Sequence, residues 1–253
     1  ERVMQLGARV LDAHRALPPA EKSARAGTIV GLIDANDKYA CDRDRHADLV
    51  SFLIAGHDTT AFTLAWTLTE LAAHPHVQAR LRTELRDRAS GAAGGASDFL
   101  TAVVRESMRL NPVAAGGSVR SPARDVPVPG GGCIPAHSVC ILHFYSIFRG
   151  AAFPEPDAFE PARWLGPDGR APAAGGVTPK TTTGTDLDAF FPFSLGRRNC
   201  VGQALAQAEI FTSIPFLCAR YEFALAQEPC PQHFLTRKPI GARLAVRRAP
   251  AAA

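Results

Sequence analysis

Apolar residues in the first 110 positions recur every three or four residues, which is the spacing of one face of an α-helix. The Pro18-Pro19 pair closes the first predicted helix. The long third helix ends at His74, because the residue before a proline is pushed out of the helical region. Asp98 is expected to cap the last helix. The predicted helices cover residues 2–16, 28–36, 47–73, 76–88 and 98–110, with a charged segment at 42–46 and a loop at 90–97.

The pattern changes after residue 112, where Gly, Pro and Val form short alternating runs that are typical of strands joined by turns. A final helix is predicted over residues 201–220, in which Pro215 favours a kink or an early end. Short strands are expected at 119–120 and 138–142, irregular loops at 153–161 and 166–185, and one or two strands within 221–248. The predicted fold class is therefore mainly α with a minor β component.

Charge and hydropathy argue against a nucleic-acid-binding protein and against a transmembrane helix. The 253 residues include 28 Lys and Arg and 24 Asp and Glu, a net charge of +4, without the clustered basic face that nucleic-acid binding requires. The most apolar stretch, residues 49–71, contains Asp58 and Glu70, and two acids argue against a transmembrane helix. Because the chain begins at Glu1 inside a helical pattern and shows no signal peptide, we expect a fragment that lacks its N-terminal part and has no membrane segment.

One of the six cysteines stands apart from the others. The cysteines form no CxxC pair, so we expect reduced thiols in an intracellular protein, without a disulfide framework or a zinc site. Cys200, however, directly precedes the final predicted helix, between Gly196 and Gly202. Helix N–H groups stabilise a thiolate, and glycines let the backbone approach a flat ligand. An anionic sulfur of this kind is a strong axial ligand for haem iron.

The long predicted helix contains an unusual polar segment, Ala55-Gly56-His57-Asp58-Thr59. Glycine inside a helix costs about 1 kcal/mol relative to alanine, and a local cost of this kind often marks a working site. Ala55 and Thr59 are four residues apart and share a helix face, so the Thr59 hydroxyl can bond to the carbonyl of residue 55. The result would be a polar notch suited to O₂ and a water molecule.

A further pair of charges, Glu106 and Arg109, is spaced three residues apart on a predicted helix. Such pairs are usually weak ion pairs on a solvated surface, and that interpretation remains open at this point. Arg163 and Trp164 follow in the segment Phe159-Glu-Pro-Ala-Arg163-Trp164. Arg120 lies in a short predicted strand, where a solvated side chain is the alternative to a functional one.

These motifs, taken in order, resemble the cytochrome P-450 family. The string from Phe193 to Gly202 matches the family signature FxxGxRxCxG at every fixed position, and residues 55–60 resemble its (A/G)Gx(D/E)T(T/S) motif. Glu106 and Arg109 match its ExxR pair, and residues 159–164 resemble its PERF-type segment, with Ala162 where the family usually has Glu. The resemblance implies the C-terminal portion of the P-450 fold over residues 1–253.

The resemblance also implies a role for each motif. Cys200 would be the metal ligand, holding haem b (iron protoporphyrin IX) in the loop that contains Phe193, Gly196 and Gly202. Arg198 and Arg120 would pair with the haem propionates, Arg124 being a nearby competitor of Arg120. Asp58 and Thr59, beside Ala55 and Gly56, would deliver protons to dioxygen during its reduction. Glu106, Arg109 and Arg163 would form a buried charge network that braces the cysteine loop.

The function implied is that of a haem-thiolate monooxygenase, which inserts one oxygen atom from O₂ into an apolar organic substrate. Its electrons would come from an NADPH-dependent reductase, and the parent protein would be anchored in the endoplasmic reticulum membrane. Two alternatives remain open at this point: a haem-thiolate isomerase or dehydratase, and a non-catalytic haem-binding remnant. Asp58 and Thr59 count against the first alternative, since such enzymes need no proton delivery to oxygen.

Overall fold

The computed structural model describes residues 2–90, 97–171 and 187–249. The chain divides into two compact units, residues 1–58 and 59–253, each with its own buried apolar core. Helix α4 (Asp42–Ala73) contributes residues to both units. None of the helices in the described part is long and apolar enough to cross a membrane.

The first unit is a small helical assembly. The guanidinium of Arg15 connects three helices of this unit, because its Nε donates to Asp34 at 2.7 Å and its Nη1 donates to Asp42 at 2.6 Å. Three apolar side chains form its buried centre: Leu11, Ile33 and Leu49. Its helices are α1 (Arg2–Arg15), α2 (Pro19–Ala24), α3 (Ile29–Asp34) and the first part of α4.

The second unit packs helices around a larger core to which aromatic side chains contribute. Its helices after α4 are α5 (Pro75–Ala89), α6 (Asp98–Leu110), the single turn α7 (Phe144–Ile147) and α8 (Gln203–Arg220). The most deeply buried core side chains come from several of these helices and from the loops between them: Leu71, Leu81, Val103, Phe148, Phe153, Trp164, Ile210, Ile214 and Cys218.

Eight short strands of the second unit form four antiparallel pairs, each a two-stranded sheet within the described residues. The longest pair, β5 with β8, is formed by the part of the chain that follows α8. The pairs are β1 (Ser118–Arg120) with β4 (Cys140–Leu142), β2 (Val126–Pro127) with β3 (Cys133–Ile134), β5 (Tyr221–Gln227) with β8 (Arg243–Arg248), and β6 (Cys230–His233) with β7 (Arg237–Ile240).

The predicted starts of two helices are wrong, each for a local physical reason. Helix α4 already begins at Asp42, because acidic residues in the first turn complement the helix dipole. Ser97 rather than Asp98 caps α6, since its Oγ accepts the Leu100 N–H at 3.0 Å. The predicted end of the final helix is confirmed, since α8 continues to Arg220, and the alternative of an early end at Pro215 is wrong. Fully buried neighbours on both sides of Pro215, Ile214 and Cys218, hold that helix in the core.

The strands at 118–120 and 140–142 confirm the prediction for this region. The last 29 described residues hold four strands rather than one or two, because pairing between distant segments makes strands where alternation in the sequence is weak. The short helices α2 and α7 were not predicted. Most of the predicted loops at 90–97 and 166–185 lie outside the described residues.

The carboxylate of Glu106 on α6 is the centre of a fully buried polar network. Its oxygens accept hydrogen bonds from Arg109 Nε and Nη2 at 2.8 and 2.9 Å and from Arg163 Nε at 2.9 Å. Trp164 Nε1 and the backbone N–H of Glu160 donate as well, both at 2.8 Å. The remaining guanidinium N–H groups bind backbone carbonyls of residues 148, 154, 155, 156 and 158. The interpretation of Glu106 and Arg109 as an ion pair on a solvated surface is therefore wrong.

Replacing Glu106 by Gln is expected to lower the free energy of unfolding by about 3–5 kcal/mol, because two buried guanidiniums lose their counter-charge. Denaturant unfolding of the variant and the wild type measures the difference. Glu228→Gln, which changes an exposed acid, is the matched control and should stay within about 0.5 kcal/mol of the wild type. Equal stability of E106Q and the wild type would contradict the central role of this carboxylate.

A second carboxylate, that of Glu70 on α4, is 13% exposed and accepts a hydrogen bond from Asn111 Nδ2 at 2.6 Å. Asn111 accepts in turn from the Arg237 guanidinium. Burial raises the pKa of Glu70 above its ordinary value of 4.5, although the bond from Asn111 and the nearby His74 oppose that effect. The folded protein therefore holds this proton more tightly than the unfolded chain does.

Glu70 accordingly stabilises the fold less as the pH rises from 4.5 through its raised pKa. Glu70→Gln keeps an acceptor for Asn111 and removes the buried charge. We expect the stability of this variant relative to the wild type to increase between about pH 4 and about pH 7. Denaturant unfolding across this range tests it, and a difference that does not change with pH would refute it.

Candidate functional site

The cysteine loop, residues 193–202, presents the sulfur of Cys200 at the protein surface. The loop closes on itself, because the Cys200 N–H donates to the carbonyl of Phe193 at 2.8 Å. A 3₁₀ turn, Gly196–Arg198, lies between these residues, and the Asn199 N–H donates to the carbonyl of Gly196 at 3.1 Å. The sulfur is thus held on a tight loop with its own hydrogen bonds.

Glycine is favoured at two positions of this loop, each for a different physical reason. Gly196 has φ +72°, a left-handed conformation that other residues rarely adopt. A Cβ on Gly202 would lie 3.9 Å from Cys200 Sγ, so a longer side chain would enter the space beside the sulfur. Gly202 is also the N-cap of α8, whose first turn contains no acidic residue. The positive end of α8 therefore faces the region of the sulfur without a competing negative charge.

Two predicted propionate ligands lie in or against the loop. Arg120 on β1 donates from Nη2 to Ser194 Oγ at 3.1 Å and from Nη1 to the carbonyl of Val119 at 2.9 Å. Arg198 belongs to the loop itself and is exposed. Arg124 is also exposed, and within the described residues it makes no hydrogen bond or ion pair. The contact with Ser194 favours Arg120 over Arg124.

Apolar side chains next to Cys200 in the chain, and others on β1 and β4, are open to solvent. Leu195, Val201 and Leu205 expose 65%, 80% and 58% of their surface. Val119 and Ile141, paired across β1 and β4, are exposed by 61% and 63%. Large exposed apolar surfaces are typical of binding faces rather than of ordinary protein surface.

The polar segment of α4 lies within a continuous helix. Asp58 has 31% of its side chain exposed, and its Oδ1 lies 3.2 Å from Nδ1 of His57, which is 77% exposed. Thr59 is half-buried, and its carbonyl accepts the Thr63 hydroxyl at 2.8 Å. Ala55 and Gly56 are exposed on the same helix. The expected bond from the Thr59 hydroxyl to the carbonyl of residue 55 stays a prediction.

Aromatic side chains connect the Glu106 network to the cysteine loop, a link that sequence reasoning missed. Trp164, which donates to Glu106, packs against Phe190 in a tilted geometry with ring centres 4.6 Å apart. Phe148 contacts Phe190 at 5.1 Å and Phe191 at 5.7 Å. These two phenylalanines lead directly into the loop, where the Ser194 N–H donates to the carbonyl of Phe191 at 2.8 Å. The signal available in the sequence was Trp164, directly after Arg163.

The departure from the family pattern at Ala162 leaves this arrangement intact. Glu160 caps the 3₁₀ turn Pro161–Trp164 by accepting the Ala162 N–H at 3.0 Å, so a neighbouring acid supports the turn. Arg163 still reaches Glu106. The structure therefore brings Glu106, Arg109 and Arg163 together as the motifs suggest.

The site has the donor set of a haem pocket rather than of a metal cluster. Among residues 2–90, 97–171 and 187–249, no three His, Cys, Asp or Glu side chains are placed to hold a metal ion together. A metal on Cys200 would take one ligand from the described residues, as an iron in a porphyrin does. Exposed sulfur, apolar neighbours and two arginines suit a flat apolar group with carboxylates at its edge. The residues fit haem.

Comparisons with known proteins agree with this geometry. The family model for cytochrome P450 matches residues 8–247. Human cytochrome P450 4F12 is 33% identical over 199 residues, covering 75% of this chain and 35% of that protein. Mouse mitochondrial 25-hydroxyvitamin D-1 alpha hydroxylase is 37% identical over 183 residues, covering 69% and 33%. Mouse leukotriene-B4 omega-hydroxylase 3 is 30% identical over 197 residues, covering 74% and 35%.

The chain spans about a third of the length of these curated relatives. A crystal structure of a cytochrome P450, CYP102L1, superimposes on 98% of this chain and 55% of the solved chain, with a TM-score of 0.75 and 21% identity. That likeness shows the P450 fold, mainly helical with small sheets. With a family model that matches nearly its whole length, the chain belongs to the cytochrome P450 family.

Proposed function

We propose that this chain is the C-terminal, haem-binding part of a monooxygenase, with the Cys200 thiolate as axial ligand of haem b. The observation that carries the proposal is the exposed sulfur, held directly before α8 in a loop that bears the family signature. Relatives named as hydroxylases support the insertion of one oxygen atom into an organic substrate as the reaction.

The protein's first task would be to hold the sulfur in place as the axial ligand. The first turn of α8, which begins directly after the cysteine loop, contains no acidic residue. The bond from the Cys200 N–H to Phe193 restrains the loop, and Phe193 would pack beside the sulfur. When bound, haem supplies the activation of O₂, which a thiolate ligand promotes by favouring O–O cleavage.

The second task is to orient the flat ligand. Arg198 and Arg120 would pair with the two propionates, since guanidiniums bind carboxylates through parallel hydrogen bonds. Arg120 is already restrained by Ser194 and by its own strand. Gly196 allows the left-handed turn that the loop needs, and Gly202 leaves the space beside the sulfur open.

The third task is to supply protons. Asp58 is partly exposed and lies beside the exposed His57, so its carboxylate can exchange protons with water. The hydroxyl of Thr59 would pass them to the reacting oxygen, which is a general-acid role. The small residues Ala55 and Gly56 would leave room for O₂ at this point of α4.

For the whole protein we propose an apolar organic substrate, O₂ and electrons from an NADPH-dependent reductase. The exposed apolar side chains around Cys200 and on β1 and β4 support an apolar substrate. The relatives' names mention leukotriene B4 and 25-hydroxyvitamin D, which are different molecules, so they do not identify the substrate here. Attachment of the parent protein to the endoplasmic reticulum stays a prediction.

Cys200→Ser is expected to abolish thiolate ligation, because a neutral hydroxyl is a poor iron ligand. The reduced, carbon monoxide-bound spectrum of the haem-reconstituted protein measures this: the Soret band characteristic of a thiolate should be lost. Cys230→Ser, which changes another exposed cysteine, is the matched control and should leave the spectrum unchanged. A thiolate-type spectrum that survives in C200S would reject the proposed ligand.

Thr59→Ala is expected to lower the product formed per O₂ consumed by about tenfold or more, because a general acid is lost. The missing oxygen should appear as hydrogen peroxide, measured in the full-length enzyme with its reductase. Thr69→Ala is the control, since Thr69 is buried on the same helix and bonds only back to the Ala65 carbonyl, at 2.8 Å. If T59A and T69A gave the same coupling of O₂ to product, Thr59 would have no role in proton delivery.

A further inference from the structure

A cavity of about 460 Å³ lies between α6, α8 and the cysteine loop, and it is referred to below as the α6–α8 cavity. Cys200, Arg198 and Gly202 are not among the described residues that line it, whereas Phe193, Leu195 and Gly196 of the cysteine loop are. Its size is within the range of small-molecule sites, about 300–1,000 Å³. The proposed function assigns no role to Arg105, which also lines it.

Arg105 supplies an unpaired positive charge to the α6–α8 cavity. Its side chain is half-buried, and within the described residues it forms no hydrogen bond and no ion pair. Burial lowers the pKa of Arg105, and the charge that opposes this effect is Asp98, seven residues away on the same helix. Asp188, an exposed acid, also lines the cavity. A partly buried cation of this kind favours an anionic ligand.

The walls of the cavity indicate what carries the negative charge. Aromatic side chains from the chain before α8 and from α8 itself line it, including Phe190, Phe191, Phe193 and Phe211. Aromatic rings pack well against such side chains in edge-to-face or offset geometry. The amide groups of Gln203 and Gln207 add neutral hydrogen-bonding groups. Together these features suit one or two aromatic rings bearing a carboxylate.

We propose that the α6–α8 cavity binds a small aromatic carboxylate, with Arg105 pairing with its carboxyl group. Five cysteine-loop residues, Phe193, Ser194, Leu195, Gly196 and Asn199, form one wall. The Cys200 N–H binds the carbonyl of Phe193, so an occupant touches the loop that holds the sulfur. Binding itself does not depend on the proposed function.

The probe is 2-naphthoate, titrated by calorimetry into the full chain, with neutral 2-naphthamide as the comparison ligand. We expect Arg105→Gln to weaken 2-naphthoate binding at least tenfold and to leave 2-naphthamide binding unchanged. Arg220→Gln changes an exposed arginine at the end of α8 and is the matched control, with unchanged affinity for both. Equal affinity of R105Q and the wild type for 2-naphthoate, or no binding at millimolar concentration, would overturn the proposal.

Two further variants test whether the probe binds in the α6–α8 cavity. Gln207→Trp, which fills the cavity from α8, should abolish binding of both ligands, and binding that persists would show that they occupy another place. Cys200→Ser should bind 2-naphthoate as the wild type does. If C200S loses that binding, the probe sits at the haem face and the cavity is not its site. Because this arm needs no thiolate ligation, failure of the proposed function and failure of the cavity proposal give different results.

Discussion

The buried carboxylate of Glu106 is the interaction on which the second unit depends. Two guanidiniums, an indole N–H and a backbone N–H converge on it, so no formal charge in the network is left without a partner. The spare donors of Arg109 and Arg163 bind carbonyls of residues 148–158, a segment without a strand or a long helix of its own. An irregular segment becomes rigid in this way, because its backbone acceptors are satisfied by buried charged donors.

From that network a path of aromatic contacts leads to the cysteine loop. Trp164 donates to Glu106 and packs on Phe190, and Phe191 continues into the turn that carries Ser194. Arg120 joins the same turn from β1. The cysteine loop is thus linked to the buried charge network by aromatic packing, and α8 begins directly after this loop. Helix α6 contributes residues both to the buried network and to the α6–α8 cavity. Glu106 and Arg109 pair with each other in the core, and Arg105 lines the cavity.

Tertiary contacts overrode local signals at several points. Pro215 lies inside α8, because the buried side chains of Ile214 and Cys218 keep the helix in the core. The Glu106–Arg109 spacing is common on solvated helices, and only packing against residues 148–164 shows that this pair is buried. The β5–β8 and β6–β7 pairs likewise join segments whose own alternation is too weak to predict four strands.

The sequence by itself determined the family, the order of the motifs and most helices of the first half, and it marked Cys200, Glu106, Arg109 and Arg163 as candidate site residues. These follow from residue types at fixed local spacing, which helix periodicity and loop chemistry make readable. Only the tertiary structure decided that Trp164 completes the network, that Arg120 rather than Arg124 contacts the loop, and that Arg105 lines a cavity. Such facts depend on contacts between residues far apart in the chain, and a local pattern carries no information about those contacts.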